Sequence, residues 1–482
     1  MPMRRTIRLT VALVLATGLA GCAVQSPPDT EAVRRDALPE TRVPDAWKAA
    51  GDATPVDAAA VRDDWLATFG DAQLDALVVE ALRNNTDLHA AAARVERAAA
   101  YATASQAALL PAVNLLGTGG IKAGGGSDLT SALQGIMLGI SWEPDLWGRL
   151  RYGRNAADAT YASAQADYEF ARQSLAAQVA RSWFLAIESR RVHESTEAMV
   201  VAGQSLVTLA EDRERVGNGN ARDVAQARAA LANLQDASAQ ARYAEQQAQR
   251  SLEVLLGRYP GADLAVATAL PALPGPVPVG MPLDLLSRRP DLVAAQRRVD
   301  AAFDRVGEAR TSLLPTIRLN ASISALSSDV LQLQQDYSNP SGGAGGTLYA
   351  PIYRGGALQA QVAARTAEQK EAVALYGSHV LRALGDVESS LSASAILDQR
   401  VAFLGQALAD QQRALELEQQ SYRVGRADLR SVEMQRQQVE AARIAHTRAL
   451  SEQLSRRVGL HLALGGSFTA PATLASAPAS SR

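Results

Sequence analysis

A short segment of the chain alternates hydrophobic and polar residues with the two-residue period of a β-strand. It follows Leu314-Pro315, where the proline lacks the N–H that another helical turn would need. Side chains two positions apart share a face of a strand, so residues 316–325 are predicted to form a strand with two distinct faces. The apolar face holds Ile317, Leu319, Ala321, Ile323 and Ala325, and the polar face holds Thr316, Arg318, Asn320, Ser322 and Ser324.

This strand is predicted to be half of a β-hairpin, and another hairpin is predicted earlier in the chain. In the later hairpin, the glycine-rich residues 342–346 favour a loop and residues 348–353 favour the returning strand. The earlier hairpin combines a less regular strand over 113–123 with an apolar strand over 136–140, and glycines 124–126 lie between them. One chain therefore supplies four strands.

A long stretch without proline follows each hairpin, over residues 150–216 and 357–424. Each stretch predicts a helix roughly 100 Å long at 1.5 Å per residue. Val401, Leu408 and Leu415 recur at heptad spacing, which indicates coiled-coil packing. Helices of this length need neighbouring helices along their whole course, so a long helical assembly is expected.

Each long helix is predicted to end in a tight turn and to be followed by a returning helix. Gly217 and Gly425 suit the left-handed position that ends a helix. Asn220 and Asp428 occupy equivalent places after them and are good N-caps for the returning helices.

The chain is a tandem duplication. Asp87-Leu88 recurs as Asp291-Leu292 at an offset of 204 residues, and Arg215-Val216-Gly217 recurs as Arg423-Val424-Gly425 at an offset of 208. The predicted organisation is a lipoprotein signal peptide (1–21), a lipidated N-terminal linker (22–60), a first repeat (61–270), a Pro-rich link (271–282), a second repeat (283–466) and a flexible tail (467–482).

The N-terminal residues predict export and lipidation. Arginines at positions 4, 5 and 8 precede an apolar run over 9–20 that is too short to span a membrane. The next residues, Gly21-Cys22, resemble the lipobox of bacterial lipoproteins, and Cys22 is the single cysteine. Acylated Cys22 would anchor the chain to a membrane. Ala23 in place of aspartate resembles the sorting signal for the outer membrane.

The net charge of the chain and the number of its predicted strands exclude further classes of function. The whole chain has a net charge of −2, and loss of three signal-peptide arginines makes it about −5, which argues against a nucleic-acid partner.

No later segment has 18 consecutive apolar residues, so a membrane could be crossed only by strands. Four strands cannot close a barrel, which needs about eight, so copies must share one: a dimer gives eight strands and a trimer twelve. The apolar faces would then meet lipid, and Arg318, Asn320 and Ser322 would line the lumen.

Four ordered motifs resemble the outer-membrane factor family of TolC-like channels, within it the NodT-type efflux lipoproteins. The motifs are Trp65 to Asp75 (WLATFGDAQLD), Glu143 to Arg149 (EPDLWGR), Ser287 to Leu292 (SRRPDL) and Tyr422 to Gly425 (YRVG). The resemblance implies a mainly α fold with a membrane β-barrel portion, built as a homotrimer with a helical tunnel and a shared twelve-stranded barrel. It also implies a bacterial outer-membrane location with the helices in the periplasm. The implied partners are outer-membrane lipid, a periplasmic adaptor and an inner-membrane pump of the RND type, and no cofactor is implied beyond the lipid on Cys22.

The resemblance also places the two helical hairpins at a periplasmic tip that closes the tunnel. We hypothesise that ion pairs among the charged tip residues, together with Tyr422, hold the closed state. Each exposed pair is worth at most about 1 kcal/mol, so the pairs would bias the gate without locking it. The alternative is a solvated surface of charges that only caps helices. The candidate gate residues are Arg215, Asp223, Tyr422, Arg423, Asp428 and Glu433.

Two other classes of protein are alternatives to a channel. The five histidines are scattered, and the sequence contains no HExxH, Gly-x-Ser-x-Gly, Walker or CxxC motif, so no enzyme is expected. A periplasmic coiled-coil adaptor or structural lipoprotein would share the helical hairpins and the lipid. It would lack the two β-hairpins, which therefore favour an outer-membrane channel that conducts solutes passively.

Overall fold

The computed structural model describes residues 24–50, 64–118, 133–328 and 341–466. The predicted signal peptide, the lipidation site at Cys22 and the predicted C-terminal tail lie outside the described residues. The chain divides into two compact units. The first comprises Met1–Glu40, Arg94–Gln165 and Ala294–Ser378, and the second comprises Thr41–Ala93, Ala166–Val293 and His379–Arg482.

Long helices dominate the described chain, and the strands form two short hairpins. None of the described helices combines the length and the hydropathy of a membrane span. The helices are α1 (Thr30–Ala37), α2 (Ala72–Asn84), α3 (Thr86–Ala107), α4 (Arg149–Arg215), α5 (Ala221–Leu255), α6 (Leu285–Arg288), α7 (Pro290–Thr311), α8 (Ala357–Arg423) and α9 (Leu429–Ala463), and the strands are β1 (Ala112–Thr118), β2 (Leu133–Trp142), β3 (Thr316–Ser328) and β4 (Ser341–Tyr349).

The two long helices confirm the prediction from the proline-free stretches. Helices α4 and α8 each contain 67 residues and begin and end within one residue of the predicted bounds. Both turns carry the expected chemistry. Gly217 and Gly425 have φ angles of +78° and +74°, the left-handed region that glycine adopts without a steric cost. The side chains of Asn220 and Asp428 accept backbone N–H groups and cap the returning helices α5 and α9.

The four strands form one antiparallel sheet in the first unit, in the order β1-β2-β3-β4. The prediction of a glycine loop over 342–346 was wrong, because these residues lie inside β4 and pair with β3 from Gly342↔Ile323 to Gly346↔Leu319. Glycine weakens a strand, but the regular partner strand supplies a complete ladder of hydrogen bonds. The predicted strand over 348–353 was also wrong at its end, since β4 stops at Tyr349, two residues before Pro351.

The pairing register extends the two faces of β3 across the sheet. Ile323 lies beside Leu138 on β2, and Leu138 lies beside Leu115 on β1. Asn320 lies beside Ser141 and Gly345. Apolar side chains therefore share one face along three strands, and Arg318, Asn320 and Ser322 stand on the other face.

Two tryptophans lie where the hairpins join helices of the first unit. The indole N–H of Trp142 donates to the carbonyl oxygen of Leu109, just after α3. The indole N–H of Trp147 donates to the carbonyl oxygen of Pro315, just before β3. Both carbonyls follow a helix end, where backbone acceptors lack helical partners. The first hydrogen bond holds the end of β2 beside the end of α3, and the second holds the segment before α4 beside the start of β3.

The hydrophobic core of the second unit packs along one side of α4. Trp183 and Phe184 of α4 are fully buried there against Trp65 and Leu74. The indole N–H of Trp183 donates to Asp71 at 2.8 Å, and Asp71 also caps α2. One carboxylate therefore caps a helix and orients one of the two tryptophans of this core.

The duplication is visible as a pair of equivalent contacts in the second unit. Asn85 and Arg289 hold equivalent positions just before or at the start of α3 and α7. Asn85 donates to the carbonyl oxygen of Leu255 at 3.1 Å, and Arg289 donates to the equivalent carbonyl, that of Ala463, at 3.4 Å. Each repeat therefore ties the end of its returning helix to the start of its first helix, once with an amide and once with a buried guanidinium.

Candidate functional site

The polar face of the sheet is the first candidate surface. Arg318 is exposed, and its guanidinium lies 3.9 Å from Glu143. Asn320 is exposed and Ser322 is half-buried on the same face. This face therefore presents a cation, an amide and a hydroxyl, groups that water solvates well. Whether they line a lumen depends on other copies of the chain and stays a prediction.

The helical turns of the second unit are the second candidate surface, and an ion pair joins them. Arg213, in the last turn of α4, reaches the carboxylate of Asp428 at 3.1 Å. Asp428 uses its other carboxylate oxygen to accept the N–H of Ser431 at 2.9 Å and so caps α9. This single carboxylate links the first turn to the second and also starts a helix.

Three of the other predicted gate residues pair locally rather than across the turns. Arg215 pairs with Asp212 in the same helix. Asp223 lies 3.9 Å from its sequence neighbour Arg222. Glu433 is only 4% exposed and its carboxylate lies 3.4 Å from Arg436. Tyr422 and Arg423, at the end of α8, are both exposed.

Sequence reasoning missed Arg213, which makes the contact between the turns. Arg213 lies two residues before Arg215 in the predicted last helical turn, but its equivalent in the second repeat is Ser421, so the duplication did not single it out. Sequence reasoning also missed the ion pair between Arg228 of α5 and Glu211 of α4, at 2.7 Å. This pair joins the two helices of the first helical hairpin. Only spatial proximity reveals both partners.

The described residues contain no group of three His, Cys, Asp or Glu side chains arranged to hold a metal ion. Apart from the buried Glu433, the chemistry of both surfaces is that of exposed or half-exposed ion pairs and solvated polar groups. Such pairs are individually weak and respond to salt and to substitution. They suit reversible contacts between helices better than bond-making chemistry.

Two helical hairpins, combined with strands that alternate apolar and polar residues, define a class of outer-membrane channel subunits. Comparisons with known proteins identify the family. The family model of the outer membrane efflux protein matches this chain twice, over residues 77–258 and 281–466. The chain belongs to the outer membrane efflux protein family. The two matches also correspond to the two repeats of the duplication.

Individual relatives agree with this assignment. The chain is 32% identical to the pyoverdine export outer membrane protein OpmQ of Pseudomonas aeruginosa, over 88% of this chain and 91% of that protein. It is 30% identical to the antibiotic efflux pump outer membrane protein ArpC of Pseudomonas putida, over 94% of each. Among solved structures, the outer-membrane channel OprN superposes with a TM-score of 0.77 at 26% identity, covering 90% of this chain and 99% of that one.

These findings confirm the predicted class of function. The protein is an outer-membrane channel of an efflux system, located in the outer membrane and built from a duplicated, mainly helical repeat with short membrane strands. Its homologues are channel proteins rather than enzymes.

Proposed function

We propose that three copies of this chain form a passive export duct. Their twelve strands close a barrel in the outer membrane, and their long helices form a tunnel in the periplasm. Outer-membrane lipid contacts the apolar faces of the strands, and Arg318, Asn320 and Ser322 line the lumen. Acylated Cys22 anchors each copy to the membrane.

One observation carries this proposal: the described sheet has two open edges. Strands β1 and β4 each pair with a single neighbour in one copy. Unpaired backbone groups are costly in the hydrocarbon layer, so a membrane-embedded sheet needs partners for both edges. Pairing of β1 in one copy with β4 in the next satisfies every edge. Three copies give a barrel wide enough to pass solutes, whereas eight strands leave an interior that side chains fill.

The duct would receive its solutes from an assembled pump. We propose that the helical turns at Gly217 and Gly425 contact a periplasmic adaptor, and that the adaptor joins the channel to an inner-membrane pump of the RND type. OpmQ is named for pyoverdine export and ArpC for antibiotic efflux, which supports an exported small molecule as cargo. The pump, rather than a polar duct, would select that cargo.

The channel function is tested by electrical recording. The purified mature protein, added to a planar lipid bilayer, is expected to produce discrete conductance steps, because a shared barrel encloses a water-filled pore. A variant lacking residues 316–349 loses β3 and β4 and is the matched control, expected to give none. A wild-type protein that stays in solution and conducts nothing would contradict the proposal.

The contact between the turns is proposed to bias the gate toward its closed state. Arg213→Glu removes the pair with Asp428 and leaves the cap of α9 intact. If each exposed pair contributes about 1 kcal/mol, loss of three pairs shifts the open fraction up to about a hundredfold. Bilayer recordings are therefore expected to show longer or larger openings.

Charge reversal at Arg242 is the control for this gate experiment. Arg242 is an exposed arginine in the later half of α5, away from the turn at Gly217, so Arg242→Glu should leave the openings nearly unchanged. The same recordings test Asp223 and Glu433, whose charge reversal the gate hypothesis also predicts to raise conductance. Equal conductance in wild type, Arg213→Glu, and the Asp223 and Glu433 reversals would place the gate elsewhere.

A further inference from the structure

A polar groove of about 1000 Å³ lies in the second unit between α4, α8 and α9. It runs along a different face of α4 from the hydrophobic core, because Trp183 and Phe184 are fully buried whereas Arg181 and Leu185 are exposed. Hydroxyl groups dominate the uncharged part of its lining. The serines are Ser174, Ser182, Ser389, Ser390, Ser451 and Ser455.

The carboxylates that line the groove are already neutralised by arginines. Each of the three lies within ion-pair distance of a guanidinium, so none is a spare negative charge for the other cations of the groove. The pairs are Asp386 with Arg289 at 3.2 Å, Glu452 with Arg400 at 3.0 Å, and Glu188 with Arg448 at 4.0 Å.

Two arginines of the groove remain without a carboxylate. Within the described ranges, neither Arg181 on α4 nor Arg456 on α9 forms an ion pair, and the Nε of Arg181 donates only to the carbonyl oxygen of Ala177 at 3.3 Å. Partial desolvation of the guanidinium in the groove, and the nearby positive charge of Arg456, lower the pKa of Arg181. The two cations therefore face the same space and repel each other.

We propose that Arg181 and Arg456, with the serine hydroxyls around them, form a binding site for a solute that carries a carboxylate or a similar oxyanion. An oxyanion between two guanidiniums relieves their repulsion and accepts charge-assisted hydrogen bonds from both. Four of these serines supply further donors without adding charge, whereas Ser390 and Ser451 already donate to the carbonyl oxygens of Asp386 and Phe184. Because the groove is open to solvent, binding is modest and reversible, as transit requires. The placement of this site on the path of exported solutes rests on the proposed function, but the binding of anions does not.

Citrate is a suitable probe, because it carries three carboxylates and its binding can be followed by calorimetry. The mature protein in detergent is titrated at constant ionic strength, which keeps the general screening of charges the same for every citrate concentration and every variant. Wild type is expected to bind citrate, and the double variant Arg181→Gln/Arg456→Gln is expected to bind at least about tenfold more weakly. Arg242→Gln is the matched control, since Arg242 is an exposed arginine of α5 outside the groove, and it should bind as wild type does.

Two results would overturn this proposal. Equal citrate affinity in the wild type and the double variant would place any anion site elsewhere. Absence of citrate binding in the wild type, with loss of the assembled form in the double variant, would mean that the arginines pair with carboxylates of a second copy. Bilayer recordings separate this site from the channel: a wild type that binds citrate but never conducts would refute the proposed function and leave the anion site standing.

Discussion

Arg289→Ala is expected to lower the unfolding free energy by about 3 kcal/mol, the low end of the range for removing one partner of a buried ion pair. The guanidinium is buried and contacts Asp291 at 2.8 Å, Asp386 at 3.2 Å and the carbonyl oxygen of Ala463 at 3.4 Å. Its loss removes the donor to the half-buried Asp291 and to the carbonyl oxygen of Ala463, and it breaks the hydrogen bond that joins the end of α9 to the start of α7. Denaturant titration of the detergent-solubilised protein, followed by helix content, measures the change.

Two further variants make this test specific. Arg289→Lys should recover only part of the loss, since a single ammonium cannot span the acceptors that a planar guanidinium reaches. Arg83→Ala removes an exposed arginine from α2 and should change stability by less than about 0.5 kcal/mol. If the Arg289→Ala protein is as stable as the Arg83→Ala control, the contacts of the Arg289 guanidinium do not stabilise the second repeat.

Asp304→Asn is expected to stabilise the protein at pH 8 by up to about 4 kcal/mol, because each pKa unit corresponds to about 1.4 kcal/mol. Asp304 lies on α7 with only 2% of its surface exposed, and one carboxylate oxygen has no hydrogen-bond partner in the described chain. Burial, with a smaller contribution from Asp300, raises the pKa of Asp304 from 3.8 to about 7. An ionised carboxylate is therefore unfavourable at this position.

The pH dependence has a definite sign. Between pH 4 and 7 the native carboxyl retains a proton that the unfolded chain has lost, so stability falls as pH rises through this window. Asparagine cannot ionise, so its advantage should be full at pH 8 and nearly absent at pH 4. Asp410→Asn, at an exposed position of α8, should show no such trend. An advantage of Asp304→Asn that is the same at both pH values would contradict this account.

Local chemistry made the helical part of the fold predictable from sequence. Proline before each hairpin, glycine after each long helix and a capping Asn or Asp act within a few residues, so the bounds of α4 and α8 were found to within one residue. Strand β4 was missed because it is rich in glycine and is fixed by its partner β3, far along the chain. Its alternation is too weak to detect before that partner is known.

The candidate sites show the same division between local and spatial information. Asp428 was recognised because it caps a helix, which depends on the next three residues. Its partner Arg213 lies 215 residues away, and no pattern in either repeat connects them. The groove arginines were missed for the same reason: an arginine without a carboxylate is recognised only when all its neighbours are known.

The central claim is that neighbouring copies pair β1 with β4 until three copies close a ring, and cross-linking between those edges tests it most directly. Cysteine in place of Leu115 on β1 is combined in turn with cysteine in place of Ala344 or Leu348 on β4, all on the apolar face. Ile140→Cys/Ala321→Cys, a register pair within one copy, is the control that should yield only single chains. Oxidation of the β1/β4 variants is expected to give covalent species of one, two and three copies and none larger. Single chains alone, or a series that ends at two copies or continues beyond three, would contradict the shared twelve-stranded barrel.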